Sequence, residues 1–254
     1  MNYQIIPPGQ KLQNFISHFW VGTWDRTTQK PNTTHYSIAS SLTEITFAFE
    51  GSDQNAELLF SVVQGHTHLP VQHQVTGFYH LIGVAFYSYA IPLLFNIPAS
   101  DLNQEFISLN TFIGSEGDSL NDKLAAAQST AERIQILSNY FENRIMHQQP
   151  KDPLISHAIQ EIKYLNGEVK IDALADRYHL SHKQFNRRFK EFSGFNPKLY
   201  SRILRFESML KSYPYRKTLT EVAYESGYYD QSHFIHDFKS FTGFNPQDFW
   251  KLNQ

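Results

Sequence analysis

Hydrophobic positions recur with two different periods, and the change between them divides the chain. In the first half the period is two. Glu44 to Glu50 places Ile45, Phe47 and Phe49 on one face and polar or small residues on the other, which predicts a half-buried strand. Leu58 to Gln64 and Phe78 to Phe86 are apolar, aromatic and β-branched and are bounded by Gly51, Gly65 and Gly77; Phe15 to Trp24 carries Phe19, Trp20 and Trp24. These read as further strands, and several short strands with turn residues between them predict a sandwich or small barrel. From Leu120 the period becomes helical. Leu120, Leu124 and Ala127 share one face, and Ile134, Leu137, Phe141 and Ile145 share another, with Ser129 and Glu132 spaced as a capping box between the two helices. The polar run from Met146 to Pro153, with Pro150 and Pro153, reads as a linker. Phe78 to Ala99 runs for 22 residues without a formal charge, the length of a membrane span. His80, Ser88, Pro92, Asn96 and Pro98 within it, and the lack of a Lys/Arg cluster beside it, favour a buried strand followed by a helix.

The second half repeats itself. Phe185, Phe189, Lys190, Phe192, Gly194, Phe195, Asn196 and Pro197 recur 49 residues later as Phe234, Phe238, Lys239, Phe241, Gly243, Phe244, Asn245 and Pro246. Each copy reads as two helices joined by a sharp turn. In the first, Ile171, Leu174, Ala175 and Tyr178 make a short amphipathic helix, His179 and Leu180 turn the chain, and Ser181 with Gln184 caps the next helix. In the second, Thr218 with Glu221 starts a helix that buries Val222 and Ala223, Gly227 permits the turn, and Asp230 caps the second helix. The Asn-Pro pairs supply an N-cap and a preorganised first turn for the helix after each copy.

Two helices at a fixed angle, the second capped and protruding, place side chains in a DNA major groove. A helical bundle that merely repeats is the alternative. At about 100° per residue, Phe185, Phe189 and Phe192 fall on one side of their helix and Lys183, Arg187 and Lys190 on the other, flanked by Asn186 and Arg188. A cationic stripe backed by an apolar one favours DNA, because a guanidinium reads guanine bidentately. In the second copy Ser232, His236 and Lys239 oppose the phenylalanines; with one permanent cation and Asp237 beside it, this face is the weaker. His182, Gln184, Gln231 and His233 complete the candidate DNA-contacting set, and Ser181, Arg188, Lys198 and Arg202 are candidate phosphate contacts. Residues 197–212 read as one helix between the copies, long enough to hold two recognition helices toward successive major grooves.

Charge follows the same division. Residues 1–150 hold 6 Lys+Arg against 12 Asp+Glu, and residues 151–254 hold 16 against 12, so the second half is the one suited to a polyanion. No Lys or Arg occurs from Pro31 through Asp122, and no Asp or Glu from Leu58 through Ser100. A stretch so poor in charge predicts a dry interior or a pocket. The absence of cysteine excludes disulfides, thiol nucleophiles and thiolate metal sites, and it suits a reducing interior. Met1 to Gln10 lacks a basic start followed by an apolar run, so no secretory leader is expected.

These residues resemble a known family. Leu174-Ala175, Leu180-Ser181, Phe185-x-Arg187-x-Phe189-Lys190 and Gly194-x-x-Pro197 look like the DNA-binding domain of bacterial AraC/XylS-type transcriptional regulators. So do Glu225-x-Gly227-Tyr228, Gln231-Ser232-His233-Phe234, Phe238-Lys239 and Gly243-x-x-Pro246. The resemblance implies seven helices, two helix-turn-helix units on one linking helix, and binding to promoter DNA; the family commonly has Arg where this chain has His236. Leu12-x-x-Phe15-Ile16, Phe19-Trp20, Glu44-Ile45 and Ile82-Gly83-Val84-x-Phe86 resemble the cupin-like barrel of such regulators, and Ala125 to Ile145 resembles its helical end. The expected fold is therefore α+β: a cupin-like barrel or sandwich with trailing helices over residues 1–148, then an all-α domain over 149–254. Its helix-turn-helix units are placed at about 171–193 and 218–242. The resemblance implies that the first domain senses a small molecule, dimerises, or both.

For the N-terminal half, His66-x-His68 with His73 and His80 suggests a metal set, but the carboxylate such a set needs is missing from Leu58 to Ser100. No metal and no cofactor are expected. An effector bound where no guanidinium or ammonium is available is expected to be neutral or weakly polar, with Trp20, Phe47, Phe49, Phe86 and Tyr87 as candidates for a pocket wall or a plain core. Lys11, Arg26 and Lys30 precede the gap. No G-x-S-x-G, Walker, H-E-x-x-H or dinucleotide motif is present. The reading is thus a non-enzymatic, cytoplasmic transcription factor. A metal-binding cupin enzyme tethered to DNA, and an N-terminal domain that only dimerises, are the alternatives. Its expected partners are promoter DNA, a small-molecule effector, RNA polymerase if it activates, and a second copy meeting it through the helix at 130–147; no membrane is expected.

Overall fold

The period-two stretches become strands close to where their pattern places them. The computed structural model describes residues 2–25, 34–50, 56–74, 78–146, 151–212 and 218–252. In chain order the N-terminal half contains β1 (Asn2–Ile6), β2 (Ile16–Asp25), β3 (Thr34–Ser37), β4 (Leu42–Glu50), β5 (Glu57–Gln64), β6 (Val71–Gln74) and β7 (Phe78–Tyr87). Then come α1 (Ala90–Phe95), β8 (Phe106–Ser108), α2 (Leu109–Ile113), α3 (Ser115–Ala126) and α4 (Thr130–Met146). The uncharged run from Phe78 is a strand followed by a short helix, and among the described residues no helix is long and apolar enough to cross a membrane.

Six strands form one antiparallel sheet in the order β1-β2-β7-β4-β5-β8, while β3 and β6 pair separately. Register sets which face each residue takes. Ile45 lies opposite Val63 and Val84, and Phe47 lies opposite Ser61 and Ile82. With Ile16, Phe19, Phe49 and Phe86 these fill a core against Ile91, Leu94, Phe95, Leu109, Phe112, Leu120, Leu124, Leu137 and Phe141 from the helices. Each such side chain contributes about 1.5–3 kcal/mol. Where a barrel or sandwich is expected, the described residues show a six-stranded sheet and a separate two-stranded one, without closure. β1 and β8 stand at the edges of the sheet, and helices cover one face. The chain turns helical at Ala90 and returns its apolar side chains to that face, so burial is supplied without closure.

The apolar face of α4, offered by the sequence as a dimer surface, is used internally: Leu137 and Phe141 are fully buried, with Ile134 and Ile145 packed beside them. The box at the start of α4 is closed one residue early. Ser129 accepts from the Glu132 N–H at 3.1 Å, but the Glu132 carboxylate accepts from Gln128 at 2.7 Å. Arg133 is buried, donating to the carbonyls of Leu124 and Ala127 at the end of α3 and lying 4.2 Å from the Phe49 ring centre. A guanidinium there satisfies helix-end carbonyls that water cannot reach.

The second half is all helix: α5 (Pro153–Tyr164), α6 (Ile171–Arg177), α7 (His182–Ser193), α8 (Pro197–Ser212), α9 (Leu219–Glu225), α10 (Gln231–Thr242) and α11 (Pro246–Leu252). The chain divides into two units, Met1–His35 with Leu42–His66 and Gln74–Lys151, and Tyr36–Ser41 with Thr67–His73 and Asp152–Gln254. Two short segments of the N-terminal half thus belong to the helical unit. Within it the Ala39 N–H donates to the Phe241 carbonyl at 2.9 Å. The Ser41 N–H and hydroxyl donate to the two Glu207 carboxylate oxygens at 2.7 and 2.8 Å. Burial pushes the Glu207 carboxyl upward while the Ser41 bonds oppose it.

Candidate DNA-binding surface

The first unit is assembled by its caps. Ser181 accepts from the Gln184 N–H at 3.3 Å, and the Gln184 side chain accepts from Ser181 N–H at 3.2 Å. The turn before it closes through Tyr178 N–H to Leu174 and Leu180 N–H to Ala175, and His179 sits in the left-handed region at φ 53°. The second unit closes its turn the same way, Ser226 to Val222 and Tyr228 to Ala223, with Gly227 at φ 70°. The Thr218–Glu221 box and the Asp230 cap, which accepts from His233 N–H at 2.7 Å, fix its helix starts.

Both recognition helices, α7 and α10, bury their phenylalanines. Phe185, Phe189, Phe234 and Phe238 are fully enclosed, and Phe192 and Phe241 nearly so. The linking helix α8 serves both copies: Tyr200 packs on Phe189 at 5.5 Å between ring centres, and Phe206 packs on Phe238 and Phe241 at 5.6 and 5.3 Å. Each helix ends on a hydroxyl in the same role. Ser193 donates to Phe189 O and accepts from Phe195 N–H; Thr242 donates to Phe238 O and accepts from Phe244 N–H. This Ser/Thr pair lies at the 49-residue offset, and identity alone does not reveal it.

The opposite faces are open. On α7, His182, Lys183, Gln184, Asn186, Arg187 and Lys190 are exposed, and the Arg187 side chain, 70% accessible, has only a loose 3.9 Å approach to Glu191. Asn186 donates back to His182 O, and His182 lies 3.2 Å from Asp172. On α10, Ser232, His233, His236 and Lys239 are exposed, while Gln231 is partly covered and accepts from Thr220 at 2.8 Å. Tyr229, 86% exposed beside the start of α10, is absent from the set expected from sequence. An aromatic at a position the core does not need was the available signal.

Two of the four expected phosphate contacts are committed elsewhere. Arg188 makes a two-armed pair with Asp152, its Nε 2.6 Å from one carboxylate oxygen, and Asp152 also caps α5. Arg202 holds Asp237 through bonds of 3.1 and 2.6 Å, and Asp237 is fully buried rather than flanking the DNA-facing side. Both guanidiniums are pushed above their ordinary pKa by these carboxylates. Ser181 is engaged in its cap, and Lys198 is exposed on α8.

Among the described residues no three His, Asp or Glu side chains gather as a metal site. His66 is fully buried, His68 lies edge-on to Phe195, and His80 bonds Thr130 at 2.9 Å; the His73 side chain lies outside the described residues, as do Arg26 and Lys30. A cleft of about 560 Å³ opens between α1 and α4, lined by Phe95, Glu116, Tyr140, Arg144 and Lys151. Arg144 is already bonded there to Leu94 O, the Tyr140 hydroxyl and Glu116.

The two capped, cation-bearing units on one linking helix define a DNA-binding domain. Residues 174–251 match a family model described as a helix-turn-helix domain, and residues 4–108 match one described as a domain of unknown function, DUF6597. Residues 174–251 are therefore a helix-turn-helix domain. Among curated proteins none matches the sequence. Among solved structures the chain is similar to ToxT from Vibrio cholerae O395, at 10% identity and TM-score 0.48 over 91% of this chain and 96% of that one. A second ToxT structure gives 11% identity and TM-score 0.49 over 91% and 97% of the two chains. Unsaturated fatty acid bound ToxT from strain SCE256 gives 11% and 0.49 over 91% and 94%.

Proposed function

We propose that the protein regulates promoters from the cytoplasm by binding rather than by turnover, with α7 as its principal base-reading element and α10 as the weaker one. The observation that carries this is the division of α7: three phenylalanines buried on one side, and Lys183, Arg187 and Lys190 exposed on the other. His182, Gln184 and Asn186 flank that reading face. On α10 the corresponding contacts are Gln231, Ser232, His233, His236 and Lys239, with Tyr229 standing beside them. Ser181 and Lys198 serve the phosphates, while Arg188 and Arg202 serve the fold.

The N-terminal sheet domain is the sensing part of this reading, and its ligand is a small molecule. The α1–α4 cleft is the poorer candidate for that ligand, because the Arg144 donors are already taken. Selection of bound sequences from a random duplex pool tests the DNA assignment. A recovered motif whose base preference under α7 relaxes in Arg187→Ala is the expected result. Affinity that ignores both sequence and salt would overturn the assignment.

A further inference from the structure

The sheet has a second face, whose apolar cluster includes no helical residue among those described. Register lays its residues out in rows. His18, Ala85, Glu44 and Gln64 form one row; Ile5, Trp20, Gly83, Thr46 and Val62 the next; Tyr3, Gly22, Leu81, Ala48 and Phe60 the third, with Tyr79 beyond. The middle of this face is small, and its rim is aromatic. Trp20 folds flat across β7, where a Cβ on Gly83 would lie 2.0 Å from the indole, so only glycine admits the ring. Trp20 packs with Ala48, Leu81 and Tyr79; Tyr3 stacks on it at 5.5 Å, and Phe60 meets Tyr79 edge-on at 6.2 Å. Tyr3 and Phe60 remain about half exposed, at 46% and 43%.

One carboxylate stands among these rings. Glu44 is sunk into the face, and burial pushes its pKa up to about 7. No cationic side chain among the described residues pairs with it, and from Pro31 through Asp122 the sequence contains no Lys or Arg to do so. An apolar occupant would leave this carboxyl unmatched, and an anion would be repelled by it. A cation answers both the charge and the ring faces, which attract ammonium groups through their quadrupoles.

Resting on the reading of this domain as the sensor, we propose that this sheet face binds a small organic cation, an amine or quaternary ammonium. Glu44 is its counterion, and Tyr3, Trp20, Phe60 and Tyr79 are its walls. This departs from the neutral or weakly polar effector expected from composition. The other titratable groups on the face are Tyr3, pushed up to about 12 and so uncharged, Tyr79, Glu50 at the far end of β4, and His18, two strands from Glu44 across Ala85. Because the cation needs the ionised carboxylate, affinity rises with pH through about 7.

Calorimetric titration of the full chain with choline, its neutral isostere 3,3-dimethylbutanol, phenethylamine and butyrate tests the proposal. The amines are expected to bind at least tenfold more tightly than the alcohol, and about tenfold more tightly at pH 8 than at pH 6, following the ionised fraction of Glu44. Glu44→Gln should abolish the difference between choline and the alcohol. Should that variant fail to fold, the pH profile of the wild type and loss of amine affinity in Tyr3→Ala still decide. Equal binding of choline and the alcohol, preference for butyrate, or no binding by either amine overturns the inference. Gel-shift affinity for the selected duplex is measured on the same sample, so that failure here stays separate from failure of the DNA assignment.

Discussion

In the first helix-turn-helix unit, Arg188 of α7 reaches Asp152 ahead of α5. At the same helix position 49 residues later the residue is Asp237 of α10, and it reaches Arg202 of α8. Each recognition helix is tied to the helix before its unit by one ion pair, with the signs exchanged. Phenylalanine packing, end hydroxyls and turn hydrogen bonds are otherwise shared between the copies. The exchange matters for DNA. α7 carries Lys183, Arg187, Arg188 and Lys190 against Glu191, whereas α10 carries Lys239 against Asp237. The scaffold has been kept while the cationic load has moved to the first copy.

Breaking the two ties should have unequal effects. Arg202→Ala leaves Asp237, with its side chain 1% exposed, without its main partner and should cost about 3–5 kcal/mol in denaturant unfolding. Arg188→Ala leaves Asp152, 15% exposed and still capping α5, and should cost about 1–2 kcal/mol. Equal losses would erase the distinction between a buried tie and a half-solvated one. On DNA the order turns round. Arg187→Ala should cost about 1–3 kcal/mol at the selected site, and His236→Ala under about 1 kcal/mol at pH 7, read by fluorescence anisotropy at fixed salt. A larger loss from His236→Ala would make α10 the reading helix.

The smallest contrast lies in the turns. His179→Gly should stabilise by about 0.5–1 kcal/mol by relieving a left-handed side-chain residue, whereas Gly227→Ala should destabilise by about 1 kcal/mol. Thermal unfolding of the two variants checks the signs, and a loss in both would show that the His179 side chain stabilises the turn by contact rather than enduring strain.

What was legible in the sequence was local. Capping pairs such as Ser181–Gln184 and Thr218–Glu221 declare themselves by spacing, because cap chemistry acts over three residues. The phenylalanine stripes declare themselves by period. Partners distant in sequence leave no such mark. Asp237 reads as a surface flank from charge alone, although it lies three residues after Phe234 and four before Phe241, on the apolar stripe itself. Arg188 holds the same station in the first copy, and opposite charges at one station beside the apolar stripe were the overlooked signal. The strands β1 and β8 are short and sit at the sheet edges, where alternation is weakest. Of the candidate DNA residues, those on the open side of α7 followed from helical geometry, whereas the commitment of Arg202 needed the fold.

The Ser41–Glu207 latch bears on how the protein can be dissected. A fragment started in the linker at residues 147–150 would keep all seven C-terminal helices yet lack Ala39 and Ser41. Its linking helix would then present a carboxylate shaped for two donors that are no longer there. Such a truncated piece should unfold at a lower temperature than the same helices in the intact polypeptide, and adding back a peptide spanning residues 36–41 should recover part of the difference.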